Sequence, residues 1–284
     1  MNMKLKDIPS YISQKLSRLK KRPFDHISVI SAVLAALLIF QVAGIGREVY
    51  TAVSGGCIDW GLSFPEEGKT PVGNSSYEYL KEYDAYFADV GRDGKIYLTF
   101  DAGYENGYTE TILDTLKEKD VKAAFFIVGH YVKTNPELVK RMAEEGHLVC
   151  NHTFTHPDMT SLSKEDFTSQ LTDMEKLFYD TVGCEINKFY RPPSGKYNEN
   201  TLLWAKEAGY RTILWSLAYA DWDNDKQPTK DTAFKKIIPR LHDGCILLLH
   251  STSKTNSIIL GELIDEIRNK GYTFESLDNL GDAV

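Results

Sequence analysis

The chain has 284 residues, 42% of them hydrophobic and 26% charged, an ordinary globular composition with room for one large domain or two small ones. Its net charge is −7, but residues 1–46 carry seven Lys/Arg against two acids, so the remainder holds −12. An acidic body argues against nucleic acid as a partner, because phosphate binding needs a basic face.

A basic tail (1–26) precedes a candidate transmembrane helix at 27–46. Between Ile27 and Ile45 only Ser28, Ser31 and Gln41 interrupt an apolar run, and no charge occurs. That length spans a bilayer as a helix. The basic flank predicts a cytoplasmic N-terminus and an extracytoplasmic body, hence a membrane-anchored protein. A cleaved signal peptide and a secreted product is the rival reading, although such a leader is usually shorter. Residues 47–91 read as a connector with Pro65 and Pro71, ending in a lead-in helix over 77–90 whose aromatics Tyr79, Tyr83, Tyr86 and Phe87 would pack on the next domain.

From 92 to 284 the pattern becomes regular. Strands are predicted over 95–100, 123–128, a short run before His152, 188–190, 211–217, 245–249 and 272–275. Helices are predicted over 107–119, 135–145, 164–182, 199–208, 231–241 and 257–270. About seven strands alternating with helices means parallel strands with helical crossovers, in an α/β barrel or a doubly wound sheet. Cys57, Cys150, Cys184 and Cys245 show no paired spacing, so free buried thiols are the default, although an exported protein could oxidise some of them.

Chemistry-bearing residues gather just past the strand ends. His152 and His156 follow Leu-Val-Cys at a spacing that lets two imidazoles share one divalent cation. Asp101 follows Ile-Tyr-Leu-Thr-Phe, Arg191 follows Lys-Phe-Tyr, Asp221 and Trp222 follow the 211–217 run, and His250 follows Ile-Leu-Leu-Leu. Singly, Asp101 could cap a helix, Arg191 could form a surface ion pair, and His250 could be a core histidine. In a parallel barrel these ends share one mouth, where barrel enzymes place their chemistry. Together they suggest metal-assisted hydrolysis. A carboxylate takes a proton from water, a histidine protonates the leaving nitrogen, Arg191 holds the carboxylate, and Asp221 tunes His250.

With these blocks in order, the sequence resembles the polysaccharide (NodB-type) deacetylases of carbohydrate esterase family 4 over about residues 92–280. Thr99-Phe100-Asp101 resembles the first motif, His152-Thr-Phe-Thr-His156 the second, Arg191-Pro-Pro-Ser-Gly195 the third, Asp221-Trp222 the fourth, and Leu248-Leu249-His250 the fifth. The resemblance implies a distorted (β/α)7 TIM-like barrel, Asp101 as general base, His250 as general acid, Arg191 orienting the base, Asp221 tuning the acid, and His152 and His156 on the metal. Zinc is expected from the ligand type, with cobalt or manganese as alternatives. Candidate substrate contacts are Tyr104, Asn106, Pro193, Trp222 and Leu248, the last shaping the acetyl pocket. Tyr219 could add a sugar-facing ring, and core packing is the expected role of Trp215.

Two positions depart from the family pattern. Ala102 stands where a second aspartate usually supplies a third metal ligand, and Ala218 stands three residues before Asp221, where another aspartate is usual. Water, substrate or a carboxamide such as Asn106 could fill the ligand gap. The run Asp101-Ala-Gly-Tyr-Glu-Asn106 resembles the muramic-acid (δ-lactam-forming) deacetylases. That subgroup implies action on N-acetylmuramic acid of stem-peptide-free peptidoglycan, in spore cortex. The alternatives are a deacetylase of N-acetylglucosamine in peptidoglycan or chitin-like glycan, and a non-catalytic membrane-tethered glycan-binding protein.

Overall fold

A computed structural model describes residues 56–281. The predicted membrane span and its basic tail lie outside the described residues, and no described helix is long and apolar enough to cross a membrane.

The main sheet has eight strands: β1 (Ala85–Tyr86), β2 (Lys95–Ala102), β3 (Ala124–Ile127), β4 (Leu148–Asn151), β5 (Asn187–Tyr190), β6 (Arg211–Ile213), β7 (Cys245–His250) and β8 (Thr273–Phe274). Their spatial order is β7-β2-β3-β4-β5-β6-β1, with β8 beside the start of β2, and every pairing is parallel. Parallel neighbours require helical crossovers. Helices α1 (Tyr77–Glu82), α2 (Thr109–Glu118), α3 (Gly129–Thr134), α4 (Pro136–Glu144), α5 (Lys164–Val182), α6 (Glu199–Glu207), α7 (Lys230–Ile237) and α8 (Lys254–Asn269) include them.

Strand alternation separates an outer core from an inner one. Along β2, Ile96, Leu98, Phe100 and Ala102 pack outward against Ile112, Leu113 and Leu116 of α2 and Leu260, Leu263 and Ile264 of α8. Tyr97 packs in a second cluster with Phe126, Phe189, Ile213 and Ile246, which Leu277 and Leu280 join. The same period carries Asp101 to the inner side, and on β7 it carries Leu248 and His250 there beside Ile246.

The sheet curls until its edges approach, so the architecture is a curled parallel half-barrel. The expected strand over 211–217 stops at Ile213. The chain then steps sideways: Leu214 N–H donates to Tyr86 O at 2.8 Å, Ser216 N–H donates to Ile246 O at 3.1 Å, and Leu248 N–H donates to Leu217 O at 2.9 Å. That step exchanges a regular ladder for a bridge from Leu217 to Leu247.

The lead-in departs from the single predicted helix. Ser76 caps α1 through Tyr79 N–H, and α1 ends before Asp84, whose φ of 54° is left-handed and turns the chain into β1. Before it, Ile58–Asp59 pairs antiparallel with Lys196–Tyr197, and Leu62–Ser63 pairs antiparallel with Val72–Gly73. Residues read as a connector are therefore packed structure, with Trp60 ring centroid 5.1 Å from that of Phe87. The four cysteines are free as expected, but only Cys150 and Cys245 are buried, whereas Cys57 and Cys184 are exposed.

Helix α3 is absent from the expectations above, and its first residue explains it. A Cβ on Gly129 would lie 2.7 Å from both the ring and the carbonyl oxygen of Phe154. Gly129 N–H donates to Thr153 O and Phe154 O, which fastens the histidine loop to the helix start. Gly129→Ala is expected to cost about 1–3 kcal/mol as an overpacked contact. A thermal melt several degrees below wild type checks this, and an unchanged melt refutes it.

Candidate active site

A cavity of about 950 Å³ opens at the C-terminal ends of the strands, and Asp101, His152, His156 and His250 all line it. Asp101 ends the inward-facing series on β2 and is buried. Its Oδ1 accepts from Arg191 Nη1 at 2.6 Å, and its Oδ2 lies 3.6 Å from His152 Nε2. Burial disfavours the ionised carboxylate, but the Arg191 guanidinium, helped by His152 and His250, holds its pKa below the ordinary value of 3.8.

Arg191 itself is 0% exposed. Beyond Asp101, Nε donates to Ile213 O at 3.0 Å and Nη2 to Thr99 Oγ1 at 3.0 Å, while the guanidinium sits 4.0 Å from the Phe126 ring centroid. Its main-chain oxygen accepts from His152 Nδ1 at 2.8 Å. A carbonyl can only accept, so Nδ1 carries the proton and Nε2 presents a lone pair to the cavity.

The histidine loop is held in unusual geometry. Thr153 and His156 have φ of 72° and 58°, both left-handed. Three hydrogen bonds stabilise this: Thr153 N–H to Asn151 Oδ1 at 2.9 Å, His156 N–H to Thr153 Oγ1 at 2.9 Å, and Asn151 Nδ2 to Tyr210 Oη at 2.8 Å. The two imidazoles end 4.8 Å apart between centroids. Burial pushes His152 down to about 4 and lowers His156, so both are neutral at pH 7. Two neutral imidazoles, one with its tautomer fixed, fit the donor set a divalent cation needs. Among the described residues no group of three His, Cys, Asp or Glu side chains takes up a metal-holding arrangement. Ala102 packs in the outer core and contributes no donor. Asn106 does not line the cavity, and its Nδ2 donates to Thr252 O at 3.0 Å instead.

On the opposite wall, His250 Nδ1 donates to Asp221 Oδ1 at 2.7 Å, and His250 N–H donates to Oδ2 at 2.8 Å. Burial works against imidazolium here, yet the hydrogen bond and charge of Asp221, with the charge of Asp101, raise His250 above 6.5. Asp221 is 0% exposed. Its Oδ2 also accepts from Asn256 Nδ2 at 2.6 Å, and Tyr219 Oη donates to Asn256 Oδ1, which fixes the amide's orientation.

Of the other predicted contacts, Tyr104, Trp222 and Leu248 line the cavity, and Tyr104 (45% exposed) and Trp222 (60% exposed) offer aromatic faces at the mouth. Pro193 is buried outside it, and its neighbour Ser194 (φ 56°) takes that place on the wall. Trp215 is half-buried and lines the cavity as well as packing, so its role is wider than core filling.

The sequence reading missed His130, three residues past the end of β3, which the strand-end rule would have found. It also missed Asn256, a carboxamide at the start of a helix, for which no signal existed.

Comparison with known proteins gives the family. The polysaccharide deacetylase family profile matches residues 89–213. The peptidoglycan-N-acetylmuramic acid deacetylase PdaA of Bacillus subtilis is 39% identical over 236 residues, 83% of this chain and 90% of that protein. A peptidoglycan-N-acetylglucosamine deacetylase of Bacillus cereus is 31% identical over 208 residues, 72% of this chain and 74% of that one. The solved structure of Bacillus subtilis PdaA, a family 4 carbohydrate esterase, superposes with a TM-score of 0.76 at 39% identity, covering 79% of this chain and 96% of that one. At this identity and coverage, the chain belongs to the polysaccharide deacetylase family.

Proposed function

We propose that this protein removes the N-acetyl group from N-acetylmuramic acid in peptidoglycan stripped of its stem peptides, a step toward muramic δ-lactam in spore cortex. The observation that carries the chemistry is a carboxylate paired with Arg191 facing an imidazole paired with Asp221 across one cavity. Arg191 lowers the pKa of Asp101, and Asp221 raises that of His250. The muramic assignment is supported by the 39% identity to PdaA over most of both chains.

Asp101 accepts a proton from the water that attacks the acetyl carbonyl, and Arg191 keeps its second oxygen turned into the cavity. His250 delivers its proton to the departing amide nitrogen, and Asp221 stabilises the imidazolium beforehand. Leu248 shapes the wall against the acetyl methyl, and Tyr104 and Trp222 face the sugar rings. His152 and His156 would hold a divalent cation, zinc by ligand type, which when bound polarises the carbonyl and acidifies water. An anchor at 27–46 would place this domain outside the membrane, beside its glycan.

Mass spectrometry of peptidoglycan incubated with the full chain, with zinc or with chelator, tests the reading. Acetyl loss from muramic residues of stem-free glycan, blocked by chelator, is expected. Loss from glucosamine instead would move the substrate and keep the mechanism. No loss with metal bound would leave a glycan-binding protein.

A further inference from the structure

Six arginines lie among the described residues, and five have acceptors for their guanidinium. Arg92 and Arg141 pair with carboxylates, Arg191 with Asp101, Arg211 with Leu280 O and Asp84, and Arg268 with Lys119 O. Arg240 has none among the described residues. Its guanidinium rests only on the Phe64 ring, 4.2 Å from the centroid, with its donors free. It lines a cavity of about 260 Å³ with Lys236, which also has no ion pair among the described residues, and with Thr232. Tyr219 and Ala220 line both this cavity and the catalytic one, so the two share a wall.

Two uncompensated cations side by side are unexpected in a body of net −12. The Phe64 face holds the Arg240 fork in place without using its hydrogen bonds. Such a fork matches the two oxygens of a carboxylate, and Lys236 adds a second point charge. A muramic residue freed of its stem peptide exposes one lactyl carboxylate. An acidic domain would repel a strand bearing these groups unless a local cationic site received them.

We propose that the Lys236–Arg240 cavity is a subsite for the lactyl carboxylate of a muramic residue in the bound glycan. This rests on the muramic reading above, and it makes removal of the stem peptide a condition for tight binding.

The test compares acetate release by the full chain from stem-free glycan and from the same glycan with its lactyl carboxylates converted to methylamides. Wild type is expected to show a KM about tenfold higher on the methylamide, the scale of a charge-assisted contact. K236Q/R240Q should raise KM about tenfold on the free carboxylate glycan, with the loss on KM rather than kcat, and should no longer distinguish the two glycans. R240K, which keeps charge and loses the fork, should fall between. Thermal melts confirm that the variants fold. Equal KM for wild type and double variant on the carboxylate glycan overturns the subsite. If wild type releases no acetate from muramic residues, the substrate reading falls by itself. Titration with stem-free glycan then decides the subsite: shifts of the Arg240 and Lys236 side-chain NMR signals retain it, and their absence removes it.

Discussion

The Asp101→Asn variant is expected to release acetate about 10²–10⁴-fold more slowly than wild type while still binding glycan. Asparagine keeps the shape and one acceptor oxygen for Arg191 Nη1, but it cannot take a proton from water. Structure suffers too, because Arg191 is fully buried and Asp101 is its one carboxylate partner among the described residues. Losing a buried partner costs on the order of 3 kcal/mol. The remaining carboxamide oxygen should hold the loss below that of Asp101→Ala. Denaturant melts of both variants separate the two effects. If the asparagine variant matches wild type in kcat, Asp101 is not the base.

The Asp221→Asn variant should lose a comparable factor, and its pH profile identifies the cause. His250 must carry a proton to act as the acid, so the rate falls as pH rises through its pKa. In wild type that limb lies above 6.5, because Asp221 and Asp101 outweigh burial. The groups that set it are these two carboxylates, with Arg191 opposing. Neutralising Asp221 removes the largest favourable contribution and leaves burial, which lowers an imidazole. The alkaline limb of kcat should therefore move to lower pH, and the maximal rate should drop because Nδ1 loses its anionic acceptor. A limb that stays in place would mean that His250 is not the acid.

Much of this site was legible because strand period and strand end are local properties. Asp101, His152, Arg191, Asp221 and His250 stand out as polar groups after apolar runs, and a parallel sheet carries all such ends to one side. What could not be read depends on partners far away in sequence. Asn256 matters because it lies 35 positions from Asp221 and within 2.6 Å of it. Helix α3 exists because Gly129 admits Phe154. The strand over 211–217 breaks early because the sheet curls, and nothing in Leu-Trp-Ser-Leu announces that Ser216 will bond to Ile246 rather than continue beside Tyr86. Asn106 and Pro193, expected as substrate contacts, do not line the cavity: the first donates to Thr252 O and the second is buried outside it.

Left-handed backbone at Thr153, His156 and Ser194 has a consequence for how this protein could change over time. Each such residue stores about 1–3 kcal/mol that relaxing substitutions would release. Glycine or asparagine at position 153 is therefore the kind of change that selection for heat resistance would find first. It would also loosen the loop that sets the two imidazoles side by side. Robustness and turnover pull in opposite directions at this one bend.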